Sequence, residues 1–235
     1  MLPLVLLPGM MCDARLFGPQ IDALSGARDV QVPGIGAASD MGALARAVLD
    51  GAPPRFALGG LSMGGIVAME VARQAPDRVA GLALMDTNPL AEAEAIRARR
   101  APQIEKARAG HLRAVMRDEM KPNYLTDGPC RDAILDLCMD MAMDLGPEVF
   151  VRQSEALRDR PDQTDRLRAY AGPALILCGE DDALCPLKRH TLMHALMPRS
   201  TLIVVPGAGH LPTLEQPEAV SAALDAWLKE IDHES

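Results

Sequence analysis

The 235-residue chain predicts an α/β protein: a three-layer sandwich on a mostly parallel six-stranded sheet, with a helical segment inserted after the fourth strand. Three observations predict it. Short apolar runs alternate with amphipathic helical stretches, the pattern of repeated strand–helix–strand units and hence of a parallel sheet. The apolar runs are nearly continuous rather than alternating, so their strands are covered on both faces. Residues 90–171 break the rhythm, offering helix-forming sequence and no convincing strand.

The first strand is expected at 3–7, closed by Pro8-Gly9, and an amphipathic stretch at 14–24 leads to a second strand at 29–32. Helix 41–49 precedes a third strand at 56–59, helix 63–74 follows it, and a fourth strand spans 79–85. After the break come a strand at 174–178, a helix at 187–196 and a strand at 201–205. The last helix, 218–231, carries Val220, Leu224, Trp227, Leu228 and Ile231 on one stripe, and Pro217 stands at its start, where a missing N–H costs nothing. Within 90–171, Pro102, Pro122, Pro129, Pro147 and Pro161 are expected to divide the sequence into several short helices. The chain therefore reads as an α/β core of residues 1–89 and 172–235, interrupted by a helical insertion at 90–171.

Composition excludes several function classes. A net charge of −8 argues against general affinity for nucleic acid, whose phosphates need a basic face. The apolar run at 1–7 is too short to cross a bilayer and lacks the flanks of a signal peptide, so a cytoplasmic protein without a membrane partner is expected. Five cysteines (Cys12, Cys130, Cys138, Cys178 and Cys185) form no CxxC pair and read as small buried hydrophobes.

The chemistry-bearing motif is Gly60-Leu-Ser-Met-Gly64, placed between a predicted strand and a predicted helix. A serine on a sharp strand-to-helix turn needs small neighbours, because its backbone is strained and the flanking segments approach closely. Gly60 and Gly64 meet that need, and the helix N-terminus beside Ser62 favours developing negative charge. The competing reading is a glycine-rich turn that only packs helix on sheet.

With this motif the chain resembles the α/β-hydrolase family along nearly its whole length. The family presents a triad in the order serine, acid, histidine, each on a loop after a strand. The resemblance assigns Ser62 as nucleophile and His210, in Pro-Gly-Ala-Gly-His after the last strand, as base. It selects Asp182 over Asp181 as the acid, by matching Gly-x-x-Asp-x-x-x-Pro from Gly179 to Pro186. The oxyanion-hole amides it implies are those of Met63 and Met10, with Pro8 standing where the family usually has histidine. The family commonly opens with an antiparallel hairpin that is not seen before residue 3, so a minimal six-stranded sheet is expected.

The insertion takes the position of the family's cap. It carries Arg97, Arg99, Arg100, Lys106, Arg108, Arg113, Arg117 and Lys121, interleaved with acids. A solvated charged face is the first reading; a dock for an acidic partner, such as an acyl-carrier protein, is the sharper one. Met116, Met120, Met139, Met141 and Met143 are core filling or an adaptable acyl pocket. His190 and His194 have metal-ligand spacing but no third ligand, and His111 and His233 read as solvated.

The function this implies is hydrolysis of a carboxylic ester or related small acyl compound through an acyl-enzyme, with no cofactor and no metal. A lactonase, thioesterase, carbon–carbon hydrolase or lyase on the same triad, or a slow-turnover ligand-binding protein, remains an alternative.

Overall fold

Burial on both faces dictates the layering. Every residue of β1 (Leu4–Leu7), β3 (Phe56–Leu61) and β5 (Ala174–Gly179) is buried, as continuous apolar strands require. The computed structural model describes residues 1–233. Among them, β2 (Val30–Gln31), β4 (Val79–Met85) and β6 (Ser200–Val205) complete a six-stranded sheet in the order β2-β1-β3-β4-β5-β6. All five pairings are parallel.

Parallel neighbours need crossover helices, and these form the outer layers. One face of the sheet, with Val5, Leu7, Leu58 and Leu84, packs on α2 (Met41–Gly51), α3 (Met63–Gln74) and α8 (Leu187–Leu196). The other face, with Leu4, Leu6, Ala57 and Leu175, packs on α1 (Gly18–Leu24) and on the last helix, α9 (Pro217–His233), whose Trp227 and Ile231 are buried. The expected stripe on the last helix is the buried one. Truncating a fully buried side chain such as Leu58 to Ala removes transfer energy and leaves a cavity, costing about 2–5 kcal/mol. At the start of α2, Asp40 accepts from the Ala43 amide at 2.8 Å, a cap worth about 1 kcal/mol.

The second strand is shorter than the sequence predicts, pairing only Leu4 with Val30 and Val5 with Gln31. The 14–24 stretch is a 3₁₀ turn at Ala14–Phe17 running into α1, where Gly18-Pro19 restarts the helix.

Between β4 and β5 lie α4 (Glu94–Lys106), α5 (Leu112–Val115), α6 (Arg131–Arg158) and α7 (Thr164–Ala169), with no strand among the described residues. The expected division by prolines is only partly met. Pro102 sits inside α4, which continues because burial of Arg100, Gln103 and Ile104 outweighs one missing hydrogen bond. α6 is long, and it breaks at Gly146 (φ 79°), immediately before Pro147. Among the described residues, no helix is long and apolar enough to cross a membrane.

In this sheet the chain steps from β1 outward to β2 and then returns to the other side of β1 with β3. The carboxyl ends of β1 and β3 therefore flank a switch point, where open α/β sheets place their ligand crevice. The loop carrying Met10 and the turn carrying Ser62 meet there.

Candidate active site

Ser62 ends β3 and caps α3 with φ 55° and ψ −117°, a conformation that side-chain-bearing residues rarely adopt. Such strain persists only where the surroundings over-determine it. Here the Ser62 amide donates to the Met85 carbonyl at 2.9 Å, and Thr87 Oγ1 donates to the Ser62 carbonyl at 2.7 Å. The flanking glycines are obligatory. A Cβ at Gly64 would lie 2.0 Å from the Leu7 carbonyl oxygen, and one at Gly60 2.3 Å from that of Gly64.

The structure brings the three sequence-selected side chains together. His210 Nε2 lies 2.9 Å from Ser62 Oγ, and His210 Nδ1 lies 2.8 Å from Asp182 Oδ2. Asp182 Oδ1 accepts from the Leu184 and Cys185 amides at 2.8 and 2.9 Å, so both carboxylate oxygens are engaged. Burial pushes Asp182 up, but the neighbouring His210 and these amides outweigh it and hold the carboxyl below its usual range. Asp181 is exposed.

Met10 and Met63 line the same cavity as Ser62. Met63 is the first residue of α3, so its N–H has no partner one turn back within the helix. The Met10 amide has no hydrogen-bond partner among the described residues. Where the family's histidine would stand is Pro8, and the loop is held instead from far away. Gln153 of α6 accepts from the Met11 amide at 2.8 Å and donates to the Ile35 carbonyl at 3.1 Å. Met11 itself has φ 56°.

Several supporting residues escape sequence reasoning. Glu215 accepts from the Gly209 amide at 3.0 Å and from the Leu211 amide at 3.1 Å, fixing the loop on both sides of His210. The Tyr124 backbone carbonyl accepts from the His210 amide at 2.7 Å, and the Tyr124 ring centroid lies 6.1 Å from that of the imidazole. His190, fully buried, accepts from the Thr87 amide at 3.2 Å, and burial lowers its pKa to about 4, so it is neutral. It shares no site with His194, which is exposed and bonded to Ser200; the i, i+4 pair holds no common metal position. Asp86 is fully buried at the end of β4 and accepts from the Gly179 amide at 2.8 Å. Burial and the adjacent Asp182 charge push Asp86 well above the carboxylate range, so it is the neutral member of the pair.

Asp182, Cys185 and His210 form the one cluster of potential metal ligands among the described residues, their ligand atoms lying within 4.8 Å of one another. The donor chemistry fits a metal poorly. Both His210 nitrogens and both Asp182 oxygens are already bonded, and burial pushes the Cys185 thiol up, away from the thiolate that binds metals.

Ser62 and His210 line a cavity of about 430 Å³, together with residues of α4 and the 120–124 segment. Met10 and Met120 line it, whereas Met116, Met139 and Met141 are core. The basic cluster divides: Arg100 and Lys121 are buried, contrary to a uniformly solvated face, while Arg97, Arg99, Arg108, Arg113 and Arg117 are exposed. His111 and His233 are exposed, as expected.

The fold and site define an α/β protein with a hydrogen-bonded serine, histidine and aspartate at the carboxyl edge of a parallel sheet. The model for the alpha/beta hydrolase family matches residues 4–223. The chain belongs to that family.

A pimeloyl-[acyl-carrier protein] methyl ester esterase of Yersinia enterocolitica is 30% identical over 233 residues, covering 93% of this chain and 90% of its own. A thermophilic esterase from Thermogutta terrifontis, solved with malate bound, superposes with a TM-score of 0.89 at 31% identity, covering 98% of this chain and 90% of its own. The enol-lactonase from Burkholderia xenovorans shares the fold, with a TM-score of 0.84 at 21% identity over 97% of this chain and 92% of its own.

Proposed function

We propose that this protein hydrolyses a carboxylic ester by serine catalysis, with Ser62 as nucleophile, His210 as base and Asp182 as its orienting acid. The observation that carries the reading is the unbroken Ser62–His210–Asp182 hydrogen-bond chain on the floor of the cavity. His210 takes the Ser62 proton as Oγ attacks the ester carbonyl, and Asp182 fixes the imidazole tautomer and stabilises its cation. The Met10 and Met63 amides receive the oxyanion, each donor of this kind being worth about 10²–10³ in rate. Collapse expels the alcohol, which takes the proton from His210. Water, deprotonated by His210, then attacks the acyl-enzyme and releases the acid and free Ser62. The cycle uses protein groups and water alone.

The helical segment 90–171 acts as a cap over this site, and the remainder as its core. The names of the esterase relatives support ester over lactone or thioester substrates. An activity screen over p-nitrophenyl esters, lactones and thioesters of graded acyl length tests the reading. Sustained turnover of an ester that vanishes in Ser62→Ala is expected; equal turnover in that variant would refute it.

A second reading, that an acidic carrier protein delivers the acyl group, is favoured by the exposed arginines of α4 and by the carrier named in several relatives. Reversing Arg97 and Arg99 to Glu should then slow carrier-bound esters while sparing small uncharged free ones. Equal rates on both substrate types in that variant would remove the reading.

A further inference from the structure

The cavity above Ser62 has a charge balance unlike the rest of the molecule. The chain as a whole has a net charge of −8, yet Arg99, Arg100, Arg160, Lys188 and Arg189 line this cavity against only Glu92 and Glu119. Glu119 is already occupied, by Lys106 at 2.7 Å.

The deepest of these charges are two guanidinium groups sharing one carboxylate. Arg100 donates to Glu92 Oε2 from Nε and Nη2 at 3.0 and 2.9 Å, and Arg160 Nη1 lies 2.8 Å from Glu92 Oε1. All three side chains are at least nine-tenths buried. The trio thus keeps one uncompensated positive charge away from bulk water, an arrangement whose desolvation cost calls for a further anion. Donors remain for one. Arg100 Nη1 meets only the Met10 sulfur, at 3.5 Å, and Arg160 Nη2 has no hydrogen-bond partner among the described residues. In the same direction, burial and the neighbouring Arg100 lower Arg160 from its ordinary value despite its ion pair.

We infer that Arg100 and Arg160, held apart by Glu92, form an anion subsite for a carboxylate on the substrate itself, so that the preferred esters are half-esters of short dicarboxylic acids. The inference rests on the ester-hydrolase reading and specifies its substrate. Two planar guanidiniums match a carboxylate, which they bind through paired N–H donors. With the Met10 amide assigned to the oxyanion as proposed above, the acyl portion is short, because Arg100 Nη1 lies 3.5 Å from the sulfur of that same residue. The exposed Arg99 and Lys188 and the half-buried Arg189 at the rim draw such an anion inward.

The test compares monomethyl succinate with dimethyl succinate, following acid release at constant pH in the wild type and in Arg160→Gln and Arg160→Lys. Charge-assisted hydrogen bonds set the scale: the half-ester should lead in kcat/KM by about 10- to 100-fold. Arg160→Gln leaves a neutral Arg100–Glu92 pair and should abolish that lead; Arg160→Lys should retain part of it. A purely structural role for Arg160 would slow both esters alike and leave the ratio intact, overturning the inference, as would wild-type rates that are equal or favour the diester. Should neither ester be turned over, the ester-hydrolase reading fails for them separately, and calorimetry of monomethyl succinate on Ser62→Ala decides the subsite. Binding that is lost in Ser62→Ala/Arg160→Gln supports it; no binding, or equal binding, overturns it. Stronger competition by inorganic phosphate than by succinate would overturn the carboxylate assignment.

Discussion

Replacing Asp86 by Asn should make the protein more stable at neutral pH and little different in acid. The side chain is fully buried and its neighbour is the Asp182 carboxylate, so the native state keeps Asp86 protonated. The unfolded chain releases that proton above about pH 3.9. Native protein then binds one more proton than unfolded protein, and stability falls as pH rises, by about 1.4 kcal/mol per unit for one proton. The fall begins at the unfolded value and ends only at the raised native one. Asp86→Asn removes this slope but keeps an amide oxygen to accept the Gly179 N–H, bonded at 2.8 Å in the parent. Over two pH units above about 4.5 the variant should gain about 3 kcal/mol relative to the parent. For a chain of this size that is roughly 6–12 °C in Tm. Asp182, whose shift is downward, contributes stability lost as pH falls, but it does so in both proteins and cancels in the difference. Thermal unfolding of both proteins from pH 4.5 to 7.5 gives the comparison. A gap that stays constant across this range means that Asp86 is ionised in the fold, and the account of the buried pair is then wrong.

Other changes separate the roles at the site. Asp182→Asn should cut kcat by about 10⁴ if the protease precedent for the wrong imidazole tautomer transfers, whereas the exposed Asp181→Asn should cost little; the reverse order would reassign the acid. Gln153→Ala removes the long-range tether of the Met10 loop and should lower kcat by about 10- to 100-fold, with Tm recorded alongside; full activity would mean that the loop holds its own geometry. Gly64→Ala forces a Cβ onto the Leu7 carbonyl and should yield little folded protein, judged by circular dichroism. Because His210 must be neutral to accept the serine proton, kcat/KM should fall on acidification with the slope of one proton, and a profile flat from acid to alkaline pH would exclude a histidine base.

The parts of this molecule legible in residue order are those that depend on neighbours along the chain. Strand after strand is a continuous apolar run because both its faces are covered, and that property shows in a single segment such as Leu4–Leu7. The turn at Ser62 is largely local, since its glycines answer a clash within one strand–helix junction, with the Leu7 and Pro8 carbonyls as the distant partners. The spacing from Gly179 to Pro186 likewise singled out Asp182 by resemblance, and its carboxylate is the one bonded to His210. What tertiary structure alone decided are contacts without a sequence period. Gln153 reaches the Met11 amide across 142 positions, and nothing in a helix of mixed polarity marks it for that task. Asp86 looks like an ordinary strand-ending aspartate until β5 brings Asp182 beside it. Arg100 is one cation among eight in a charged stretch, and burial between Glu92 and Met10 separates it from Arg97 and Arg99. Local pattern reports which face a residue's neighbours turn inward; the fate of a single charge depends on which distant side chains close over it, and that is settled only when the sheet and the helices above it are assembled.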